Sequence, residues 1–203
     1  SPNGSKLYLT NAVVDTKNKT IINGALTGVP SPDGRYLFFT NQLFNVPVNV
    51  TFKVIDARTN QVIFDSDTLP LSILPTGRTF DVNRGLVYCA YYDSAGGYPF
   101  KIGVFDYRRF KLVKIINPAD IGGLDILVRD LVITRDGNKL YFLSNFTPCL
   151  FGGIDLIKER VVSLYLLSSQ CQGSLGIKRD DSYIYLTDPG GYGFPPPPSG
   201  LIQ

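Results

Sequence analysis

Tyr88, Tyr91, Tyr92, Asp93 and Tyr98 crowd one short stretch of this chain, with Gly96-Gly97 between them. Aromatic faces beside a carboxylate can stack on a sugar ring and hydrogen-bond its hydroxyls. Tyr91, Tyr92, Asp93 and Tyr98 are therefore a candidate carbohydrate contact. The same alternation of rings is what a strand uses to fill a core, and that reading stands beside the first. The chain has no histidine, so it has no imidazole to ligate zinc, copper or haem, or to serve a histidine-dependent nucleophilic triad. No paired carboxylates, phosphate-cradling glycine loop or nucleophile motif rises above background. The expectation is a non-enzyme with no catalytic residues, no metal site and no cofactor.

Two kinds of covalent chemistry are written into the sequence. Asn-x-Ser/Thr triplets begin at Asn3, Asn18, Asn49 and Asn145, and most fall at predicted turns or strand ends, where a glycan acceptor must sit to be reached. The chain has three cysteines. Cys149 and Cys171 flank the apolar run Val161 to Leu167 and could be brought together by adjacent strands, either bridged or as two buried thiols. Cys89 sits among large side chains and reads as buried. Triplets and cysteines together tilt the reading toward a secreted, extracellular or cell-surface protein.

The elements that must position these residues come from a repeat. Ser31-Pro32-Asp33-Gly34 is a tight turn followed by the alternating, aromatic-rich Arg35 to Asn41. The pattern returns around Asp136-Gly137 and around Asp180-Asp181, with a degenerate copy from Asp81 and a further copy at the N-terminus from Ser1 to Asn11. Asp or Asn before Gly supplies the conformations a tight turn needs, and period-two alternation marks a strand. Downstream of each copy lies a hairpin whose first strand ends in aspartate, at Asp15, Asp56, Asp106 and Asp155, spaced by about 41, 50 and 49 residues. Each carboxylate is placed to accept from amides of the turn it opens.

Short apolar strands are expected before the opening turns, at Ala25 to Val29, Ile73 to Phe80, Ile126 to Ile133 and Ser174 to Ile177, with Arg129-Asp130 a polar interruption. Arg108 and Arg109 read as solvated turn residues. Four antiparallel strands in about fifty residues is the signature of a propeller blade. The fold expected is all-β, a propeller of about four four-stranded antiparallel blades or part of a larger one. The repeats fill residues 1–188, and 189–203 form a Gly/Pro-rich tail or linker in which Pro195, Pro196, Pro197 and Pro198 favour a stiff polyproline II segment.

A net charge of +3 is too small and scattered to argue for nucleic acid, and no window is apolar enough for a membrane helix. With no initiating Met and no signal-like run, the chain reads as processed or as a segment of a longer one. It begins with a hairpin lacking inner strands and finishes with two strands lacking a hairpin, so the ends look complementary. Lys6, Tyr8, Tyr183 and Tyr185, with the four prolines, are the candidate assembly edge.

Ser-Pro-Asp-Gly-Arg-Tyr-Leu-Phe-Phe-Thr-Asn at residues 31–41, with Val-Ile-Asp-Ala-Arg-Thr-Asn-Gln-Val-Ile at 54–63, resembles the YVTN repeat of surface-layer-type β-propellers. The resemblance covers nearly the whole chain up to about Asp188 and implies a ring of four-stranded blades. Such relatives include cell-surface proteins, lactonase-type enzymes and redox enzymes with cofactors on other domains. The expectation is an extracellular structural or adhesive glycoprotein that contacts protein, either itself or a neighbouring surface protein, with carbohydrate as a further partner. The alternatives are a lactonase-type propeller enzyme and a propeller segment of a larger receptor or redox protein.

Overall fold

The computed structural model describes residues 4–8, 12–22, 28–42, 50–65, 77–92, 100–117, 128–144, 149–168 and 173–187. Every regular element among them is a β-strand. The chain divides into two compact units, Ser1–Leu74 and Pro75–Gln203.

In the first unit, β1 (Lys6–Tyr8), β2 (Val13–Asp15) and β3 (Thr20–Ile22) form a three-stranded antiparallel sheet. A second sheet follows in chain order: β4 (Val29–Pro30), β5 (Tyr36–Gln42), β6 (Val50–Asp56) and β7 (Gln61–Asp65). The second unit holds two more four-stranded antiparallel sheets. One is β8 (Arg78–Asp81), β9 (Leu86–Tyr92), β10 (Phe100–Asp106) and β11 (Lys111–Ile116); the other is β12 (Val128–Ile133), β13 (Lys139–Ser144), β14 (Cys149–Asp155) and β15 (Arg160–Ser168). A two-stranded ladder of β16 (Ser174–Ile177) and β17 (Ile184–Thr187) completes it.

One register recurs through both units. The hairpin aspartate lies opposite the first residue of the strand after the opening turn, in the pairs Lys6 with Asp15, Tyr36 with Asp56, Leu86 with Asp106, and Lys139 with Asp155. Each carboxylate then organises its own turn. Asp56 Oδ1 accepts from Arg58 N and Thr59 N, both at 2.8 Å. Asp106 Oδ1 accepts from Arg108 N at 2.9 Å and Arg109 N at 3.1 Å. Asp155 Oδ1 accepts from Ile157 N at 3.0 Å and Lys158 N at 2.9 Å, and Asp15 Oδ1 from Asn18 N at 2.8 Å. All four turns close on a non-glycine residue in the left-handed region: Lys19, Asn60, Phe110 and Glu159, with φ of 55, 60, 53 and 49°. Only Asn60 is a residue type suited to that conformation.

The opening turns share a second rule. Ser31, Asp81 and Thr134, each directly opposite the strand that follows, are the buried polar residues at one repeat position, 0, 3 and 8% exposed. Each accepts from an amide of its own turn or of the strand that follows: Ser31 Oγ accepts from Tyr36 N at 3.1 Å, Thr134 Oγ1 from Lys139 N at 3.0 Å, and Asp81 Oδ1 from Arg84 N at 3.0 Å. Asp33, Asp136 and Asp180 sit inside these turns, accepting from Arg35 N, Asn138 N and Ser182 N. The degenerate copy keeps the length but moves its left-handed glycine one residue later, to Gly85 at φ 71°.

Three expectations sharpen. Among the described residues the N-terminal sheet already contains the strand after its opening turn, β1. That sheet has three strands and the β16–β17 ladder two, so the hairpin expected at the start of the chain is extended by one strand. Arg129 and Asp130 lie within β12, and the register against β13 shifts between Val128 and Asp130, so the polar pair disturbs the ladder without ending the strand. Among the described residues the strand before the first full opening turn is only Val29–Pro30, and 25–27 and 73–76 lie outside them.

The core of the second unit lies between its sheets. Tyr88, Ala90, Ile102 and Val104 on one sheet pack against Leu131, Ile133, Leu140, Phe142 and Ile154 on the next. Leu143 and Cys149, on the far face of that second sheet, pack with Leu175 and Leu186 of the β16–β17 ladder. Gly152 is required by this packing: a Cβ there would stand 2.2 Å from Cζ of Phe142.

Candidate functional site

The polar chemistry of the second unit is concentrated where successive sheets meet. At the opening-turn end, Arg84 spans the seam between the β8–β11 and β12–β15 sheets. Its Nη1 lies 3.3 Å from Asp81 Oδ2 and donates to the Gly137 carbonyl at 2.5 Å, while Nη2 donates to Asn138 Oδ1 at 2.9 Å. Asn83 Nδ2 adds a bond to the Arg135 carbonyl at 3.0 Å. The chain of contacts continues to the next ladder, where Arg135 N donates to Asp181 Oδ2 at 2.8 Å. Gly137 is fixed twice over, by its φ of 71° and because a Cβ would stand 2.2 Å from Asp81 Oδ2.

At the opposite end of β12 the contacts run between strands. Arg129 Nε donates to the Gly173 carbonyl at 2.8 Å, and Asp130 accepts from Leu131 N at 2.9 Å through Oδ1 and from Leu175 N at 2.8 Å through Oδ2. On β8, burial holds the Arg78 guanidinium below its ordinary pKa, and burial pushes the thiol of the facing Cys89 up to about 12. That thiol is free, protonated and unreactive at neutral pH. The Tyr88 phenol is likewise raised, first by burial and then by the charge of Asp81.

Farther from the core, Lys114 of β11 and Glu159 of the β14–β15 turn form an ion pair across the same seam. They line a cleft of about 310 Å³ whose walls include Leu86, Tyr88, Val104, Ile154 and Leu156. A solvent-exposed pair of this kind contributes about 0–1 kcal/mol.

The sequence candidates distribute unevenly. Asn18 is exposed in its hairpin turn, and its Nδ2, the atom a glycan would modify, donates to Asp15 Oδ2 at 3.1 Å. Asn3, Asn49 and Asn145 lie outside the described residues. Cys149 is disulfide-bonded and Cys89 is free. With three cysteines in the chain, Cys171 is the partner left within it, and it lies outside the described residues. Tyr91 and Tyr92 belong to β9, paired with Lys101 and Phe100. Asp93 and Tyr98 lie outside the described residues. Lys6 and Tyr8 are in β1, where burial raises the Tyr8 phenol. Tyr185 of β17 is 46% exposed, and Tyr183 just before it lies under the Lys178 ammonium, 5.2 Å from the ring centroid. Pro195 to Pro198 lie outside the described residues.

Among the described residues there is no group of three or more side chains able to hold a metal, and no helix long and apolar enough to cross a membrane. No protein-family model matches the chain, and no curated protein matches it.

Sequence reasoning gave no seam role to Arg84, and it read Arg129 and Asp130 only as a polar interruption. Arg108 is exposed, as expected of a turn residue, yet its head group has partners. Its Nη2 donates to the Val82 carbonyl at 3.1 Å, and its guanidinium lies 5.9 Å from the Tyr107 ring centroid. The one signal available was a charged pair, Arg129-Asp130, inside an otherwise apolar strand. Such a pair is stable there only if something across the seam accepts it.

Proposed function

We propose that the chain is a run of β-propeller blades of the YVTN, surface-layer type. It acts as an extracellular structural or adhesive glycoprotein through contacts with other protein surfaces. The observation that carries this reading is the last strand of each of the four sheets of three or four strands. β3, β7, β11 and β15 all present large apolar side chains to solvent, led by Ile21 at 65%, Val62 at 44%, Val113 at 57% and Leu166 at 69% exposed. Large apolar residues recurring at the solvent edge of each repeat form a surface suited to protein contact. The hairpin carboxylates, by contrast, are engaged with their own turns.

The propeller arrangement is supported by the packing of β12 on both β8 and β16. That places the first strands of successive sheets side by side, as blades around an axis require. The glycoprotein part rests on Asn18 standing exposed within its triplet.

The test is the mass of the native particle. Light scattering across a concentration series should give species larger than one chain, and glycosidase treatment of material from the natural source should lower the intact mass. A particle of one chain at every concentration, with an unchanged mass after the glycosidase, overturns the proposal.

A further inference from the structure

The four outer strands are not equally protected against pairing with another strand. β3 has three residues and follows Lys17 and Lys19 in its turn. β7 has five and ends in Asp65, which pairs with Lys53 at 2.6 Å. β11 carries Lys111 and Lys114. Short strands, edge lysines and bulges are devices that keep sheets from adding neighbours. β15 has register shifts near Val162 and Leu167, but it runs nine residues, and from Val161 to Ser168 it carries no charge and no proline. Among the described residues it pairs only with β14. Its Val162, Leu164, Tyr165 and Leu166 are 46, 37, 52 and 69% exposed.

We propose that β15 is a self-association edge, pairing antiparallel with β15 of a second copy about a two-fold axis at Leu164; this specifies, and rests on, the assembly reading above. The pattern of the strand itself selects a second copy as the occupant. Rotation about Leu164 places Val162 opposite Leu166, Leu164 opposite its own counterpart, Ser163 opposite Tyr165, and Arg160 opposite Ser168. Each exposed aliphatic residue then meets another, and the single charge, Arg160, is not set opposite its own counterpart, so no like charges are opposed.

The backbone is regular at the centre of this pairing, and Val162 lies at its irregular margin. Ser163 to Leu166 pair without interruption against Gly153 to Leu150, and the register shifts fall on either side of that stretch. Tyr165 is held by a stack behind it, with ring centroids 6.2 Å from Phe151 and Phe151 in turn 5.8 Å from Tyr141. A side chain fixed in this way loses little rotamer freedom on contact.

The experiment compares the full chain with Leu164→Lys and Leu164→Cys by sedimentation across micromolar concentrations, with circular dichroism to establish that each variant is folded. A dimer in the wild type, a loss of ten-fold or more in association for Leu164→Lys, and an oxidant-dependent covalent dimer for Leu164→Cys but not for Val113→Cys on β11 are the expected results. If the wild type associates and Leu164→Lys associates equally, this edge is wrong while the assembly reading survives. If the wild type is a single chain throughout, both fall. Should Leu164→Lys fail to fold, the cysteine pair decides alone.

Discussion

The hairpin turns and the outer strands that follow them occupy the same repeats but behave in opposite ways. The turns headed by Asp15, Asp56, Asp106 and Asp155 share a register, a carboxylate-to-amide pattern and a left-handed closing residue. The strands leaving them, β3, β7, β11 and β15, differ in length, charge and exposure. The turn must satisfy backbone amides in a fixed geometry, so few solutions exist. Among the described residues the outer strand pairs on one side only, which leaves its sequence fewer constraints.

Breaking the invariant side at a seam should cost most. Gly137→Ala forces a side chain into a left-handed position and onto the Asp81 carboxylate, displacing Arg84. The expected loss is about 3 kcal/mol, combining backbone strain and overpacking. Urea denaturation of the variant measures it, and a change under 1 kcal/mol would mean that the seam yields at little cost.

Gly152→Ala should follow. Its methyl meets the Phe142 ring within the core between sheets, at an expected cost of about 2 kcal/mol. A smaller loss together with altered near-ultraviolet dichroism would show Phe142 moving aside instead.

Acid should act on the turns and spare the outer strands. Backbone hydrogen bonds hold Asp15, Asp56 and Asp155 below the ordinary carboxylate value of 3.8. Side-chain hydrogen bonds, from Thr134 and Ser182, do the same for Asp136 and Asp180. A carboxyl with a depressed folded pKa contributes stability that is complete above its unfolded value and lost as pH falls through the folded one. Stability should therefore be level down to about pH 5 and decline below about pH 4. Asp56→Asn and Asp155→Asn should each flatten the decline in a pH series of denaturation midpoints, whereas charge-neutral changes on β15 should leave its slope unaltered.

The smallest effect expected is a gain. Lys19 closes its turn at φ 55°, and Lys19→Gly should stabilise by about 1 kcal/mol by relieving the left-handed penalty. The same change at Asn60 should give less, since asparagine already tolerates that region. Equal gains at both sites would show that the penalty is not residue-specific.

How much of this was legible follows from the range of each interaction. Asp56 reaches amides two and three residues ahead, and Asp33 an amide two residues ahead, so aspartate spacing and Asp-Gly pairs carried the turns and, with strand alternation, the all-β class. The shared buried position of Ser31, Asp81 and Thr134 was not legible because three different side chains occupy it, and a position is hard to recognise when it recurs without its residue type. Arg84 finds partners 53 and 54 residues away, and Asp130 finds Leu175 at a separation of 45. No local pattern encodes such distances. Sequence by itself determined strands, turns and their period, because those obey forces acting within a few residues. Tertiary structure decided which sheets touch, which charges join them and which strand is left with an unguarded edge, because each depends on surfaces that become neighbours only after the sheets have formed.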